Sequence, residues 1–373
     1  MSALSDFKTH QHLLSRIKIF LGIIFICLFW LFANILTFNF IMDPKHLFDN
    51  NYKYEASAAK IILDDNNVAI APNSPFNDRI FQKHIILKDT EKPEVIVLGS
   101  SRVMNIRANL FENKKMHNFG VSGASIEDIF AFIHLIYAAN KKPDTVVIGV
   151  DPWLFNANSG QNRWQCIAEE YYLMLDKLGV SKKRLEIKKP STWDNLKKIA
   201  TLGYLKESIK KLIYPQLYNC YPTKNTQLDI PICLSDGSRV YPLANQKRTL
   251  QNINDRARSM ANSPNIYSLT QFKEIDQNLQ SEFDLLIQHL LQQNIEVIFY
   301  LSPYHPFVYE EIEQSPKYNM VLAVEDYIQK YASKYKIKVL GSYSPEKCNI
   351  KDVDFYDGFH LKESGANKIF HAS

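Results

Sequence analysis

The chain has 373 residues, of which 46% are hydrophobic and 22% are charged, and its formal net charge is +5. This length is sufficient for one large domain or two ordinary ones with a substantial core, and the composition excludes long disordered tracts. The mild charge, without a zinc-finger spacing or a nucleic-acid-binding motif, argues against nucleic acid as a partner.

The first predicted element is a membrane-spanning helix at residues 19–42. This segment carries no charged residue, and about 20 apolar residues suffice to cross a bilayer. No A-x-A cleavage pattern follows it, so we expect it to remain as an anchor. The basic residues before it then place residues 1–18 in the cytoplasm and the remainder outside. The sequence therefore predicts a single-pass protein of the inner membrane whose C-terminal domain faces the periplasm.

Residues 43–90 contain turn-forming pairs and are predicted to be a stalk, and a regular alternation begins after residue 91. Short apolar, β-branched runs are predicted as strands at 94–99, 116–120, 145–150, 296–301 and 338–340. Helical spacing is found at 126–139, 281–293 and 320–335. Strands that alternate with helices indicate a parallel sheet buried on both faces. We therefore predict that residues 91–373 form an α/β domain, a flavodoxin-like three-layer α/β/α sandwich.

The alternation is interrupted at about residues 153–278, which we interpret as an insertion over the strand ends. Between Lys177 and Lys211 it contains eleven basic residues and three acidic ones. Residues 193–213 have the spacing of a basic amphipathic helix, which would lie on anionic headgroups, line a groove for an acidic glycan or simply face solvent. Cys220 and Cys233 are the favoured disulfide pair, although the sequence does not fix the connectivity. No cysteine or histidine spacing suggests a structural metal.

The residues that could carry chemistry follow the predicted strands, where open parallel sheets bind ligands. Ser101 follows the first strand, and Asp357 and His360 follow the last. A serine hydroxyl needs a base to become a nucleophile, and a histidine base needs a carboxylate that fixes its tautomer. Glycines after a strand, such as Gly123, let backbone N–H groups approach an oxyanion.

Three segments resemble blocks of the SGNH (GDSL-like) hydrolase and acyltransferase superfamily. They are VIVLGSSR, NFGVSG and DGFHLKESG. The resemblance implies Ser101 as nucleophile, the amides of Ser101 and Gly123 as the oxyanion hole, and Asp357 and His360 as acid and base, with neither a cofactor nor a metal. The resemblance is to the membrane-anchored branch found in bacterial envelope polysaccharide systems, in which an Asp-Pro pair also follows the anchor, here Asp43-Pro44.

One block departs from the family pattern. The asparagine that normally donates to the oxyanion is replaced by Asp151. An ionised aspartate accepts hydrogen bonds and would repel an oxyanion, and the loss of one donor costs about 10²–10³ in rate. His305 and Arg102 are candidate replacement donors. Arg102, Asp151 and His305 are also candidate substrate-binding residues.

The resemblance implies serine-dependent transfer of an acyl group, typically acetyl, to an exported envelope polysaccharide. The expected partners are the inner membrane through residues 19–42, the glycan substrate, and a membrane protein that supplies the acyl donor. Two alternatives remain open. One is a carbohydrate esterase or deacetylase of the same fold, and the other is a non-catalytic protein that binds glycan or serves as a scaffold. Asp151 favours the non-catalytic alternative, and the complete serine, aspartate and histidine set argues against it.

Overall fold

The computed structural model describes residues 2–49, 51–112, 114–187, 191–269 and 271–372. In chain order its helices are α1 (Ser2–Met42), α2 (Lys53–Leu63), α3 (Asp78–Lys88), α4 (Ile126–Ala138), α5 (Ala168–Lys177), α6 (Thr192–Ile199), α7 (Leu202–Ile213), α8 (Leu243–Gln246), α9 (Leu250–Ala261), α10 (Gln277–Gln292), α11 (Pro306–Gln314), α12 (Asn319–Tyr335) and α13 (Glu363–His371). Its strands are β1 (Asn67–Ala69), β2 (Val95–Leu98), β3 (Met116–Asn118), β4 (Thr145–Gly149), β5 (Tyr221–Thr223), β6 (Ile232–Cys233), β7 (Arg239–Val240), β8 (Glu296–Leu301) and β9 (Lys338–Gly341).

Five of these strands form a parallel sheet in the order β3-β2-β4-β8-β9. The predicted mixed α/β class with a parallel sheet is therefore confirmed. The central strands are buried on both faces, because alternate residues contribute to two separate hydrophobic clusters. In β2, Ile96 and Leu98 belong to one cluster, and Val95 and Val97 belong to the other. This explains why these strands are continuously apolar in sequence.

The chain divides into two compact units. The smaller comprises Met1–Asn51, Asn73–Pro75 and Lys188–Asn219, and it contains α1, α6 and α7. The larger comprises Tyr52–Pro72, Phe76–Ile187 and Cys220–Ser373, and it contains the parallel sheet. It also contains a small antiparallel sheet in the order β5-β1-β6-β7.

Among the described residues, one helical segment, His12–Met42, is long and apolar enough to cross a membrane. Its length and composition alone support this statement. Large apolar side chains are exposed along it, including Phe25, Trp30 and Ile41. Such exposure is what a lipid-facing helix requires, since its side chains contact acyl chains and its backbone groups bond within the helix.

Residues 43–90, predicted to be a stalk, are folded over most of their length. From Tyr52 onward they belong to the larger unit, apart from Asn73–Pro75. Helices α2 and α3 bury Ala58, Ile62, Phe81 and Ile85 in the same hydrophobic cluster that covers one face of the sheet. The turn-forming residues that suggested a stalk lie before α2 and between α2 and α3, and they do not extend through the helices.

The helix predicted across residues 193–213 is divided into α6 and α7. Thr201 lies between them in an extended conformation, and its hydroxyl accepts a hydrogen bond from the Tyr204 amide. A threonine in this position caps a new helix, which explains the division. The favoured disulfide between Cys220 and Cys233 is absent, and all five cysteines are free thiols.

Candidate active site

The turn after β2 presents Ser101 at the carboxyl end of the parallel sheet. Gly99 has a φ of +147°, and a Cβ at this residue would lie 3.1 Å from the Cα of Gly149 in the neighbouring strand. A side chain would therefore obstruct the close approach of β2 and β4 and strain the backbone. The glycine permits the sharp turn after which Ser101 lies partly exposed.

Ser101, His360 and Asp357 form a continuous chain of hydrogen-bond contacts. The Oγ of Ser101 lies 2.9 Å from Nε2 of His360, and Nδ1 of His360 lies 3.0 Å from both carboxylate oxygens of Asp357. Because the ionised carboxylate can only accept, Nδ1 carries the proton and donates it to the contact with Asp357. Nε2 of the neutral imidazole is then unprotonated and can accept the Ser101 proton.

Asp357 remains ionised in this arrangement. Burial raises the pKa of its carboxyl group, but His360 and hydrogen bonds from the Phe359 and His360 amides outweigh that effect and lower the pKa to about 2. The two amide nitrogens lie 2.9 and 3.0 Å from Oδ1. A charged, oriented carboxylate stabilises the imidazolium that forms when His360 accepts a proton.

The loop that contains Gly123 is held by Arg79, a residue in the segment predicted as a stalk. Arg79 donates to the carbonyl oxygens of Ser122 and Gly123, each at 3.2 Å. Its Nε and Nη2 also bind the Asp128 carboxylate, at 2.6 and 2.7 Å. Burial lowers the pKa of Arg79, but Asp128 more than offsets this and the pKa is raised. The loop is thus tied to a permanent, buried positive charge.

A second ion pair holds the same loop from the other side of Ser122. Oδ2 of Asp78 accepts from the amide and the hydroxyl of Ser122, at 3.1 and 2.6 Å. Oδ1 of Asp78 in turn binds Arg239 at 2.7 Å. Sequence patterns did not indicate Asp78, Arg79 or Arg239, because each has its partners far away along the chain.

Arg102 and Asp151 are brought together, but as a buried ion pair. Nη1 of Arg102 lies 3.0 Å from Oδ1 of Asp151, and both side chains are 4% exposed or less. Nη2 of Arg102 donates to the carbonyl oxygens of Ser302 and Pro303, and the guanidinium lies 4.0 Å from the ring centre of Tyr304. Burial raises the pKa of Asp151, and Arg102 opposes that increase. These contacts crosslink the ends of β2, β4 and β8.

His305 also makes structural contacts. It is fully buried, and its Nδ1 accepts from the Phe307 amide at the start of α11, at 3.3 Å. Its own amide donates to the Gly358 carbonyl, and burial lowers the pKa of its imidazole to about 4. Nδ1 of His305 therefore caps α11, whereas its Nε2 is buried without a hydrogen-bond partner among the described residues.

Side chains that the sequence did not single out lie directly over Gly123. A Cβ at Gly123 would overlap the Tyr267 hydroxyl and the Arg163 guanidinium, and it would lie 2.8 Å from Oε1 of Gln161. Gly123 has a φ of +55°, so this position needs glycine for both space and conformation. Nη2 of Arg163 donates to the Tyr267 hydroxyl at 2.6 Å. Among the residues that the structure describes, no carboxylate lies within ion-pair distance of Arg163.

A polar cavity of about 640 Å³ adjoins this group through Gln161. Its lining is rich in amides and charged groups and also includes an indole, with Trp153, Asn156, Lys182, Asn278 and Glu282 among its residues. Amide and aromatic surfaces of this kind suit a ligand that combines hydroxyl groups with apolar ring faces. The described residues contain no group of three or more metal-ligating side chains placed to hold an ion.

Tyr241 packs beside the imidazole of His360 and also contacts the ring of Tyr356. The Tyr241 ring centre lies 5.7 Å from that of His360 and 4.5 Å from that of Tyr356. The Tyr241 ring limits the space available to the imidazole on that side. Tyr241 lies in the segment predicted as an insertion, so that segment contributes directly to the surroundings of the site.

Comparison of the chain with protein-family models and with curated proteins finds no match.

Proposed function

We propose that this protein is a membrane-anchored enzyme of SGNH type that transfers an acyl group, typically acetyl, through Ser101 to an exported envelope polysaccharide. The observation that carries the proposal is the 2.9 Å contact between Ser101 Oγ and His360 Nε2. This contact joins residues 259 positions apart, and it has the geometry that a nucleophile and its general base require.

The proposed first half-reaction forms an acyl-enzyme. His360 Nε2 accepts the Ser101 proton while Oγ attacks the carbonyl carbon of an ester or thioester. The amides of Ser101 and Gly123 stabilise the negative oxygen of the tetrahedral intermediate. When the intermediate collapses, the leaving group accepts the proton from His360.

In the second half-reaction a sugar hydroxyl gives its proton to His360 and attacks the acyl carbon. The oxygen of Ser101 leaves and is reprotonated by His360, so the relay returns to its starting state. The cavity that Gln161 borders supports a glycan acceptor, because its amide, hydroxyl and charged side chains can bond to sugar hydroxyl groups. A membrane protein that supplies the acyl donor would complete the system.

The order of the parallel strands supports the finer description of the fold. If only the five strands of this sheet are numbered in chain order, their order across the sheet is 2-1-3-4-5. Flavodoxin-like sheets have the same order. The two clusters on opposite faces support three layers. With residues 19–42 as a single-pass anchor in the inner membrane, the basic residues before it favour a periplasmic location for the domain.

The test is a pre-steady-state assay of the full chain in nanodiscs with 4-nitrophenyl acetate. We expect a burst of nitrophenolate that is stoichiometric with protein, and its loss in Ser101→Ala. Ser100→Ala, one position away and buried, is the matched control and should keep the burst. Absence of a burst from folded protein would contradict the enzymatic proposal and favour a glycan-binding or scaffold role.

The same assay with oligosaccharides of the envelope polysaccharide separates transfer from hydrolysis. An acyl-enzyme that serves a sugar acceptor yields acetylated oligosaccharide, detectable by mass, and its turnover rises with acceptor concentration. Release of acetate alone at every acceptor concentration would identify an esterase.

A further inference from the structure

Helices α6 and α7 are fastened to the end of α1 by polar contacts. Nδ2 of Asn39, a fully buried residue, donates to the carbonyl oxygen of Ile199 at 2.7 Å. The Tyr204 hydroxyl donates to Oδ1 of Asp43 at 2.6 Å, and Nζ of Lys211 donates to the Asp43 carbonyl at 3.2 Å. These contacts fix both helices at the level where the apolar segment of α1 ends, at Met42.

Helix α7 directs its apolar side outward. Tyr204 and Ser208 are its buried residues, whereas Leu202 is 82% exposed and Leu212 is 61% exposed. An apolar set recurs along this helix at intervals of three and four residues, namely Leu202, Leu205, Ile209 and Leu212. This spacing places them in one stripe. A helix of a soluble domain would bury such a stripe, so its exposure calls for an apolar environment outside the chain.

Helix α6 also exposes a large apolar side chain, and both helices carry positive charge. Trp193 is 65% exposed there, and tryptophan is enriched at the boundary between lipid and water. Residues 191–219 contain five lysines and two acidic residues. Of these, Lys197, Lys198 and Lys206 are exposed. An apolar stripe beside lysines is the pattern of helices that lie on anionic bilayers.

We propose that α6 and α7 lie in the headgroup layer of the membrane that α1 crosses. Trp193, Leu202 and Leu212 enter the boundary between headgroups and acyl chains, and the exposed lysines contact lipid phosphates. The inference rests on the membrane crossing contained in the proposed function. It is independent of the acyl chemistry.

The test measures the fluorescence of single tryptophans in the full chain, reconstituted in nanodiscs that contain phosphatidylcholine and phosphatidylglycerol. Subtraction of the Trp193→Phe spectrum gives the emission of Trp193, and subtraction of Trp30→Phe gives that of Trp30. With lipids brominated near the headgroup end of the acyl chain, we expect the Trp193 emission to fall about twofold. The decrease should be smaller in phosphatidylcholine alone, because the lysines then lose their anionic partners. Lipids brominated near the end of the acyl chain serve for Trp30, which lies midway along residues 19–42.

A double variant tests whether the apolar stripe is responsible. Leu202→Gln with Leu212→Gln should abolish the quenching of Trp193. Because both side chains are exposed, the double variant should keep its fold, which near-ultraviolet circular dichroism would show. Leu87→Gln removes a leucine of the larger unit that is 51% exposed and serves as the matched control. It should leave the quenching unchanged.

The outcomes distinguish a failure of this inference from a failure of the membrane crossing by α1. If Trp30 is quenched and Trp193 is not, α1 crosses the membrane and the interfacial position of α6 and α7 is wrong. Quenching of Trp193 that persists in the double variant would also overturn the inference. If neither tryptophan is quenched, the membrane crossing itself is wrong and this inference is wrong with it, whereas the nitrophenolate burst of Ser101 would be unaffected.

Discussion

Asp151 stands where SGNH enzymes, which three segments of the chain resemble, carry an asparagine, and it forms an ion pair with Arg102. Both side chains are buried, and Arg102 supplies the positive charge that an isolated aspartate would lack. Under the proposed function, the guanidinium charge offsets the repulsion that the carboxylate alone would exert on an oxyanion. The contacts of the ion pair also crosslink the ends of three strands.

Asp151→Asn should destabilise the fold, because it leaves the Arg102 guanidinium buried without its counter-charge. Removal of one partner of a buried pair costs about 3–5 kcal/mol. Urea unfolding of the full chain in detergent measures this loss, and the double variant Asp151→Asn, Arg102→Met should recover part of it. Unchanged stability together with faster acyl transfer in Asp151→Asn would show that the aspartate is a repelling group after all.

Arg163 is exposed beside Gly123, and we expect it to bind an oxygen of the substrate. Arg163→Gln should raise KM about tenfold or more, because hydrogen bonds to charged groups are worth about 1.5–3 kcal/mol. Steady-state kinetics with the glycan acceptor measure the change. Arg184→Gln is the control, since Arg184 is an exposed arginine already paired with Asp176. A KM equal in both variants would exclude Arg163 from the substrate site.

The proximity of Ser101, Asp357 and His360 could be anticipated because all three follow strands of one parallel sheet, whose carboxyl ends lie at one edge. Their catalytic role remains a prediction. Arg163 and Tyr267 could not be anticipated, since they lie outside the strand ends and match no spacing. The burial of Arg102 and His305 could not be anticipated either. A sequence position after a strand does not reveal whether the side chain faces the solvent or the interior.

At the scale of elements, α3 acts as a support for the Gly123 loop. Its first two residues, Asp78 and Arg79, bind the amide, hydroxyl and carbonyl groups of Ser122 and the carbonyl of Gly123. The oxyanion amide proposed at Gly123 is therefore positioned by a helix that lies ahead of the whole parallel sheet in sequence.

Arg79→Met should both destabilise the protein and slow catalysis. The unpaired Asp128 would cost about 3–5 kcal/mol, and a loop displaced by about 1 Å can cost about 10² in rate. The double variant Arg79→Met, Asp128→Leu separates the two effects. It should regain stability in urea unfolding but not kcat, because the loop still lacks its donor. Full recovery of kcat would mean that Arg79 only neutralises Asp128.

Some strands and helices could be predicted from the sequence, and others could not. The buried strands β2, β4 and β8 were predicted because β-branched runs of four to six residues bounded by turns are distinctive. Helices α2 and α3 were missed because turn-forming residues surround them. Strands β5, β6 and β7 have two or three residues each, which is too short for an alternating pattern. Their positions are set by pairing with distant segments.

For the molecule as a whole, buried histidines predict a dependence of stability on pH. Burial lowers the pKa of both His117 and His305 to about 4, below the ordinary value of 6.5. Between these values the unfolded chain binds more protons than the folded one, so the free energy of unfolding falls as pH falls from 6.5 towards 4. The lowered pKa of Asp357 acts in a more acidic region, since its stabilising effect is lost only as pH falls towards 2.

Urea midpoints of the full chain in detergent should therefore decrease between about pH 7 and pH 5. A pKa difference of one unit between the folded and unfolded states corresponds to about 1.4 kcal/mol in the free energy of unfolding. Burial also lowers the pKa of His84, His134 and His289, and these histidines add to the loss of stability. In His305→Asn the side chain can still cap α11 but cannot titrate, so the slope should be smaller. A slope equal to that of the native chain would show that His305 is not held neutral by burial.

The most direct test of the account is whether Ser101 is an activated nucleophile. The folded full chain would be treated with a fluorophosphonate and examined by intact mass and peptide mapping. We predict a single adduct on Ser101 that is absent from Ser101→Ala and strongly slowed in Asp357→Asn, because the imidazole then loses the carboxylate that orients it. A folded native chain that acquires no adduct, or acquires it on another residue, would contradict the central claim.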